Sequence, residues 1–168
     1  RITKLKKGKA DGRLLEVLEK SELEDSSPVC SHFGVCGGCS YQTLSYENQL
    51  KVKEELVKGL LDSVIDGETH PYEWQGILAS PVTQGYRNKM EFSFGDEYKD
   101  GPLALGLHKK NSTYDIVQMD DCYIVNDDLN KIVKYTVEFC RAAGLPYYKK
   151  MQHTGLLRHL VIRRSATN

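Results

Sequence analysis

Three of the chain's five cysteines stand within ten residues, in the stretch CSHFGVCGGC of residues 30–39. Their spacing, C-x5-C-x2-C, lets two thiols reach one ion or cluster from a single turn. Gly37 and Gly38 let the backbone between these two thiols adopt conformations that other residues resist, and their amides can donate hydrogen bonds to sulfur. Three thiolates do not complete a four-ligand site, so a remote cysteine is required. The stretch therefore predicts a metal site that ties this loop to a distant part of the chain.

Two further cysteines are candidates for the fourth ligand. Cys122 follows a predicted strand and precedes a predicted helix, a junction where a side chain can leave the local core. Cys140 falls on the apolar stripe of that helix, where a small buried thiol is usual. The predicted ligands are therefore Cys30, Cys36, Cys39 and Cys122. Zinc, an iron–sulfur cluster and metal-free thiols all stay open, because four cysteines can hold either metal.

Composition narrows the class of protein. The 168 residues hold 23 Lys and Arg against 23 Asp and Glu, so net charge indicates no partner. No apolar run approaches the ~20 residues that span a bilayer, and the basic N-terminus lacks the apolar core of a signal peptide. An odd cysteine count favours metal ligation over a secreted disulfide framework. We expect a cytoplasmic protein without membrane association.

Hydrophobic periodicity predicts a sheet with two helices. From Tyr86 the pattern alternates, with Met90 and Phe92 on one face and charged residues on the other. Ser45 can cap a helix to about Ile65, and Asn126 or Asp127 a second helix to about Ala143. Further strands are predicted at 103–108, 113–119 and 156–165. The order predicts an α+β fold, an antiparallel β-sheet with helices packed on one face.

The first 24 residues predict a β-hairpin. Its strands are ITKLKKG and RLLEVLEKSE, with Asp11-Gly12 as the turn signal. A lone hairpin is marginally stable in water, so this one is expected to belong to a small β-barrel whose beginning is missing. An acidic, serine-rich linker with a proline follows.

Basic residues on the predicted strands are candidates for RNA contact, since cations on a sheet can neutralise phosphates. Alternation puts Arg87 and Lys89 on one polar face. On the last strand it puts Arg158 and Arg164 on one face and His159 and Arg163 on the other. The loop Tyr147-Tyr148-Lys149-Lys150 interleaves aromatic and basic residues, as platforms for unpaired bases do. The alternative is a solvated surface, with Arg87 paired to Glu91 and the tyrosines covering the sheet. Weaker candidates are Lys4, Lys6, Lys7 and Lys9. The histidines His32 and His108 receive no role.

Five motifs together resemble one family. They are C-x2-FG-x-CGGC-x2-Q from Cys30 to Gln42, then LSYENQLKVK, GYRNKMEFSFG, LGLHKK and TGLLRHLVIRRS. Their order is similar to that in RNA (uracil-5)-methyltransferases, closest to the bacterial branch that methylates 23S ribosomal RNA. The resemblance implies a 4Fe–4S cluster on Cys30, Cys36, Cys39 and Cys122. It also implies that the hairpin is the end of a TRAM domain, an OB-like RNA-binding β-barrel. Transfer-RNA-specific relatives usually lack both features, so ribosomal RNA is the implied partner.

The family's S-adenosylmethionine-binding catalytic domain has no counterpart among these motifs. We therefore expect an N-terminal fragment without catalytic residues, which in the full-length, monomeric enzyme precedes a C-terminal methyltransferase domain. The implied domains are the barrel end at 1–25, the cluster loop at 26–44, a helix packing on the methyltransferase domain at 45–70, and a central α+β RNA-binding domain at 71–168. The alternative function is a stand-alone, zinc-stabilised RNA-binding module.

Overall fold

A computed structural model describes residues 1–165; the last three residues of the predicted 71–168 domain lie outside that range. In chain order the described elements are β1 (Ile2–Lys6), β2 (Lys9–Gly12), α1 (Tyr46–Asp62), β3 (Lys89–Gly95), β4 (Ala104–His108), β5 (Ile116–Gln118), α2 (Asp127–Ala142) and β6 (His159–Arg163). Across residues 1–165, neither helix has the length and apolar character needed to cross a membrane.

Four strands form the main sheet in the order β5-β4-β3-β6, and every neighbouring pair is antiparallel. The period of two sends Met90 and Phe92 of β3 into the core beside Leu105 of β4, and Phe92 and Leu105 are completely buried. The predicted α+β class with an antiparallel sheet is confirmed.

Helix α2 covers the core face of this sheet. The Asn126 side chain accepts a hydrogen bond from the Asp128 amide at 3.1 Å and so caps the helix. Leu129, Val133 and Val137, spaced four apart, form the stripe that is buried with the sheet. Gly144, at φ 63°, follows the helix end, as the sequence predicts.

Helix α1 behaves differently. It begins after the Ser45 cap, which accepts from the Asn48 amide at 3.3 Å, and it ends at Asp62, short of the predicted Ile65. None of its residues is buried, and Leu56 and Leu60 are exposed. The predicted packing of a helix on one face of the sheet is seen for α2, whereas α1 keeps its apolar residues exposed; the predicted packing of α1 on a methyltransferase domain stays a prediction.

Polar contacts join α1 to the chain that follows it, residues 66–86, which we call the return segment. The Tyr72 hydroxyl donates to Asp62, the Trp74 indole N–H to Glu54 at 2.6 Å, and the Ser80 amide to the Tyr46 hydroxyl oxygen at 2.7 Å. These contacts meet α1 progressively closer to its start, so the return segment runs antiparallel along the helix.

The N-terminal hairpin turns earlier than predicted. Lys6 pairs with Lys9, and Lys7 and Gly8 between them have φ values of 48° and 76°. Two consecutive left-handed residues are what a two-residue hairpin turn of the matching twist needs. Asp11-Gly12 instead lies within β2, where Gly12 pairs with Ile2, so that turn prediction is wrong. The segment after β2, predicted as the second strand, has no regular structure at residues 13–20.

Candidate metal centre and nucleic-acid interface

The cysteine loop is anchored on the end of β4. The Gly37 amide donates to the His108 carbonyl at 3.1 Å, and the Lys110 amide donates to the Val35 carbonyl at 2.7 Å. Gly34, at φ 85°, takes the left-handed conformation that lets the loop turn back on itself. These backbone contacts hold the loop against the sheet without using any cysteine side chain.

Four cysteine side chains meet at this anchored loop. One small cavity is lined by Cys30, Cys36, Cys39 and Cys122, together with His32, Phe33, Gly38, Gln42, Leu107, Met119, Tyr123 and Ile124. Cys140 is absent from that lining and lies buried on α2. The structure thus brings together the four predicted ligands and leaves out the fifth thiol; metal binding by these residues stays a prediction.

The four thiols are not arranged around a single ion. Within residues 1–165, no group of three or more His, Cys, Asp or Glu side chains has the arrangement that would hold one metal ion.

Burial and repulsion from neighbouring cysteines disfavour the charged form of two of these thiols, Cys36 and Cys122. Burial raises the pKa of Cys36, the Gly38 amide at 3.3 Å from its sulfur lowers it, and the neighbouring cysteines raise it again. Burial likewise raises the pKa of Cys122, against a lowering hydrogen bond from the Ile124 backbone, and the other three cysteines add to the rise. A cationic group in the cavity would reverse this balance, because it stabilises thiolates. The donor set therefore fits a thiolate-ligated group.

Two amide side chains hold the backbone at the cavity. Gln42 accepts a hydrogen bond from the Cys30 amide at 3.0 Å. Asn130 on α2 accepts from the Cys122 amide at 3.0 Å and donates to the Cys122 carbonyl at 3.4 Å. Neither side chain is predicted from the sequence to have this role. The available signal for Asn130 was a carboxamide next to Leu129, at a position where helical periodicity predicts burial.

On the opposite face of the sheet from the core lies a polar surface. Lys89 of β3 pairs directly with Arg163 of β6, and both are exposed. On the same face, Ser93 of β3 pairs with His159 of β6. The Ser93 hydroxyl lies 3.3 Å from His159 Nδ1 and 3.5 Å from His108 Nε2. We call this surface the polar sheet face; it consists of Lys89, Glu91, Ser93, His108, His159, Val161 and Arg163.

The remaining predicted arginines flank strands β3 and β6. Arg87 precedes β3 and donates from Nε to the Lys89 carbonyl at 3.2 Å. Arg158 precedes β6 and places its guanidinium 3.6 Å from the centre of the Tyr148 ring. Arg164 lies past the end of β6, where its Nε is 3.5 Å from an Asp128 carboxylate oxygen. Arg158 and Arg164 flank β6 and continue its pairing, since the Phe94 amide donates to the Arg158 carbonyl and the Arg164 amide to the Asn88 carbonyl; their predicted common face stays a prediction.

Tyr147 and Lys149 already have partners within the chain. The Tyr147 hydroxyl donates to Asp96 at 2.8 Å, and Lys149 Nζ is 3.5 Å from an Asp100 oxygen. Burial, followed by the hydrogen bond to Asp96, raises the pKa of Tyr147 to about 12. These two residues therefore tie their loop to the β3–β4 connection. The hairpin lysines Lys4, Lys6, Lys7 and Lys9 are all exposed.

No family model matches the chain. Two of its sequence relatives are longer proteins that are named as RNA methyltransferases. A protein of Caldanaerobacter subterraneus subsp. tengcongensis, named an uncharacterized RNA methyltransferase, is 48% identical over the whole chain, which spans 36% of that relative. A Clostridium acetobutylicum protein of the same kind is 46% identical over 98% of the chain and 35% of its own length. The chain thus spans about a third of the relatives it matches.

Structural comparison gives a neighbour with the same fold. It is the Pyrococcus abyssi tRNA (uracil-54, C5)-methyltransferase, solved in complex with S-adenosyl-L-homocysteine. The match has a TM-score of 0.68 at 20% identity and covers 99% of this chain and 34% of that one. The whole chain is therefore similar to a portion, about one third of the length, of longer proteins named as RNA methyltransferases. It has the fold of a portion of similar size in a tRNA uracil methyltransferase.

Proposed function

We propose that this chain is the cluster-bearing, RNA-recognising part of an S-adenosylmethionine-dependent 23S ribosomal RNA (uracil-5)-methyltransferase. One observation carries the proposal: cysteines from two distant segments line one cavity, in a chain similar over its whole length to proteins named RNA methyltransferases. Methyl transfer belongs to the full-length protein, in which a C-terminal methyltransferase domain binds S-adenosylmethionine. The full-length protein acts in the cytoplasm as a monomer.

The cavity suits a 4Fe–4S cluster held by Cys30, Cys36, Cys39 and Cys122. Each thiolate of such a cluster binds a different iron, so the four sulfurs stand farther apart than around one ion. The four cysteines supply the number and type of ligands that such a cluster needs, and the resemblance of the cysteine motif to the cluster-bearing branch favours a cluster over zinc. The cluster supplies positive charge and a crosslink between the loop at 30–39 and the junction between β5 and α2. Its role in this proposal is structural.

The polar sheet face supplies contacts for the RNA backbone. Lys89 and Arg163 are adjacent and exposed, and Arg87 lies just before the same strand. Paired cations neutralise phosphates regardless of base sequence. At the start of β6, Arg158 stacked on Tyr148 offers a planar surface for a base. In the full enzyme the target uridine is flipped out of the RNA to reach the catalytic domain.

Tyr147 and Lys149 adjoin this surface, because Tyr147 pairs with Leu157 just before Arg158. Both have partners in the fold, so we assign them a secondary contribution: a ring and an ammonium group at the border of the bound RNA. Loss of either side chain would therefore weaken the loop as well as RNA binding.

Methylation of RNA from a strain that lacks the gene tests this function. The full-length protein is incubated with methyl-labelled S-adenosylmethionine and separated 23S ribosomal and transfer RNA. We expect 5-methyluridine in 23S RNA, and a reduced rate when both Lys89 and Arg163 are changed to Glu. Exposed Lys131→Glu on α2 is the charge control. Label in transfer RNA alone would overturn the ribosomal assignment, and no label in either RNA would overturn the proposed activity.

A further inference from the structure

A groove larger than the cysteine cavity lies directly beside it. It has a volume of about 690 Å³, within the ~300–1,000 Å³ of typical ligand sites. Tyr46, Gln49 and Lys53 of α1 form one wall, and residues 80–86 of the return segment contribute another. Residues 38–42, which end the cysteine loop, form a third. We call this feature the hydroxyl groove, because ten of its nineteen lining residues are serine, threonine or tyrosine.

Hydrogen bonds fix the walls of the hydroxyl groove. The Ser80 amide donates to the Tyr46 hydroxyl oxygen at 2.7 Å, which joins the return segment to α1. The Ser45 amide donates to Asp25 at 2.6 Å, which joins the start of α1 to the chain before the cysteine loop. The groove is therefore a built part of the fold.

The charge of the lining favours an anion. Lys53 is its one cation, and none of the nineteen residues is Asp or Glu, although 23 of the 168 residues in the chain are acidic. Asp25, which contacts the start of α1, lies outside the lining and accepts hydrogen bonds from the Ser45 amide and the Asn48 side chain. An anionic ligand in the groove thus meets an ammonium group without facing a carboxylate in the lining.

Aromatic rings are available in the same groove. Tyr41 is 39% exposed and Tyr86 57% exposed, so each presents ring surface to solvent. Lys53 Nζ lies 5.8 Å from the centre of the Tyr41 ring, which places a cation next to a stacking surface. A cation interleaved with exposed aromatic rings is the arrangement that holds single-stranded nucleic acid.

We propose that the hydroxyl groove binds a single-stranded segment of RNA, with bases stacked on Tyr41 and Tyr86 and a phosphate on Lys53. This inference rests on the proposed function for its choice of RNA as the partner. It adds a location: Cys39 lines both the groove and the cysteine cavity, so RNA in the groove lies against the cysteine loop.

Photocrosslinking of the full-length protein to a single-stranded oligonucleotide that contains 5-iodouridine tests the location. Crosslinks are mapped by mass spectrometry, and affinity is measured in parallel. We expect crosslinks at Tyr41 or Tyr86, and about tenfold weaker binding for Lys53→Glu or Tyr41→Ala. The matched control is Lys51→Glu, the same charge change on an exposed residue of α1 that does not line the groove; it should change affinity less than about twofold.

The outcomes separate this inference from the proposed function. RNA binding with crosslinks only on the polar sheet face, and equal affinities for the Lys51 and Lys53 variants, would overturn the groove and leave the RNA-binding role intact. Failure of the unmodified protein to bind RNA would overturn both. If Lys53→Glu weakened the affinity for duplex RNA as much as the affinity for single-stranded RNA, the single-strand assignment would be overturned. Tyr86→Leu, at an exposed position, provides a second variant should Tyr41→Ala fold poorly.

Discussion

The carboxamide of Asn130 satisfies both backbone polar groups of Cys122. It accepts from the Cys122 amide at 3.0 Å and donates to the Cys122 carbonyl at 3.4 Å, and both residues are buried. Because α2 carries Asn130 and packs on the sheet, the helix sets the position of the one cysteine that is remote from the loop. The cavity is thus assembled by the core of the fold.

Replacing Asn130 with Ala should destabilise the protein. The Cys122 amide would be buried without a partner, which costs about 1–3 kcal/mol of unfolding free energy, while the Cys122 carbonyl would keep the Val125 amide at 3.4 Å. Urea denaturation followed by circular dichroism measures the change. Lys131→Ala is the matched control, because its ion pair with Asp127 is exposed and should contribute no more than about 0.5 kcal/mol. Equal stability of the Asn130 variant and the parent would contradict the structural role of this side chain.

Two glycines should respond to alanine with opposite signs. A Cβ at Gly106 would lie 1.9 Å from the Val117 carbonyl oxygen, so β4 and β5 would have to separate, and we expect a loss of more than about 2 kcal/mol. A Cβ at Gly59, in α1, meets nothing within 4 Å. Gly59→Ala should therefore stabilise the helix by about 0.5–1 kcal/mol. Thermal and chemical denaturation of the two variants measure both changes. If Gly106→Ala and Gly59→Ala changed the free energy of unfolding by similar amounts, the described β4–β5 pairing would be contradicted.

Alkaline pH should weaken the loop that Tyr147 anchors. Its pKa, ordinarily 10.0, rises to about 12 in the fold, through burial and the hydrogen bond to Asp96. Above pH 10.0 the unfolded chain loses this proton while the folded chain keeps it, so the contribution is complete below pH 10.0 and disappears as pH passes about 12. Stability measured from pH 8 to 11 should fall less steeply for Tyr147→Phe than for the parent. If stability fell equally steeply with pH in Tyr147→Phe and in the parent, the raised pKa of Tyr147 would be contradicted.

In metal-free protein, the five cysteines should fall into a fast-reacting and a slow-reacting group. Cys30 and Cys39 are partly exposed, whereas the other three are buried and the pKa values of Cys36 and Cys122 are raised, chiefly by burial. Since the thiolate is the reactive form, alkylation at neutral pH should modify Cys30 and Cys39 first. Peptide mapping gives the order, and urea-unfolded protein supplies the control in which the five should react alike. Rapid alkylation of Cys122 in the folded state would contradict its placement.

Local pattern predicted the elements that bury a regular face. The alternation at Met90 and Phe92 predicts β3, and the four-residue spacing of Leu129, Val133 and Val137 predicts α2, because in both cases burial against the core decides the structure. The Ser45 cap and the apolar spacing also predict α1, although its residues Leu56 and Leu60 stay exposed. Polar contacts with the return segment hold that helix, and they join residues too distant for periodicity to detect.

Turn and site details depend on geometry that a local pattern does not contain. Asp11-Gly12 has the composition of a hairpin turn, yet the register pairs Lys6 with Lys9 and moves the turn to Lys7-Gly8. The position of Cys122 at a strand-to-helix junction was sufficient to favour it over Cys140. The support from Asn130 and the docking of Gly37 on His108 arise only from tertiary contacts.

The iron and sulfide content of anaerobically reconstituted protein tests the central claim most directly, in the parent and in Cys122→Ser and Cys140→Ser variants. The parent and Cys140→Ser should each hold about four iron and four sulfide per chain, since neither lacks a proposed ligand. Cys122→Ser should lose most of both. A single zinc without sulfide in the parent, or full cluster content in Cys122→Ser alongside loss in Cys140→Ser, would contradict the four-cysteine cluster.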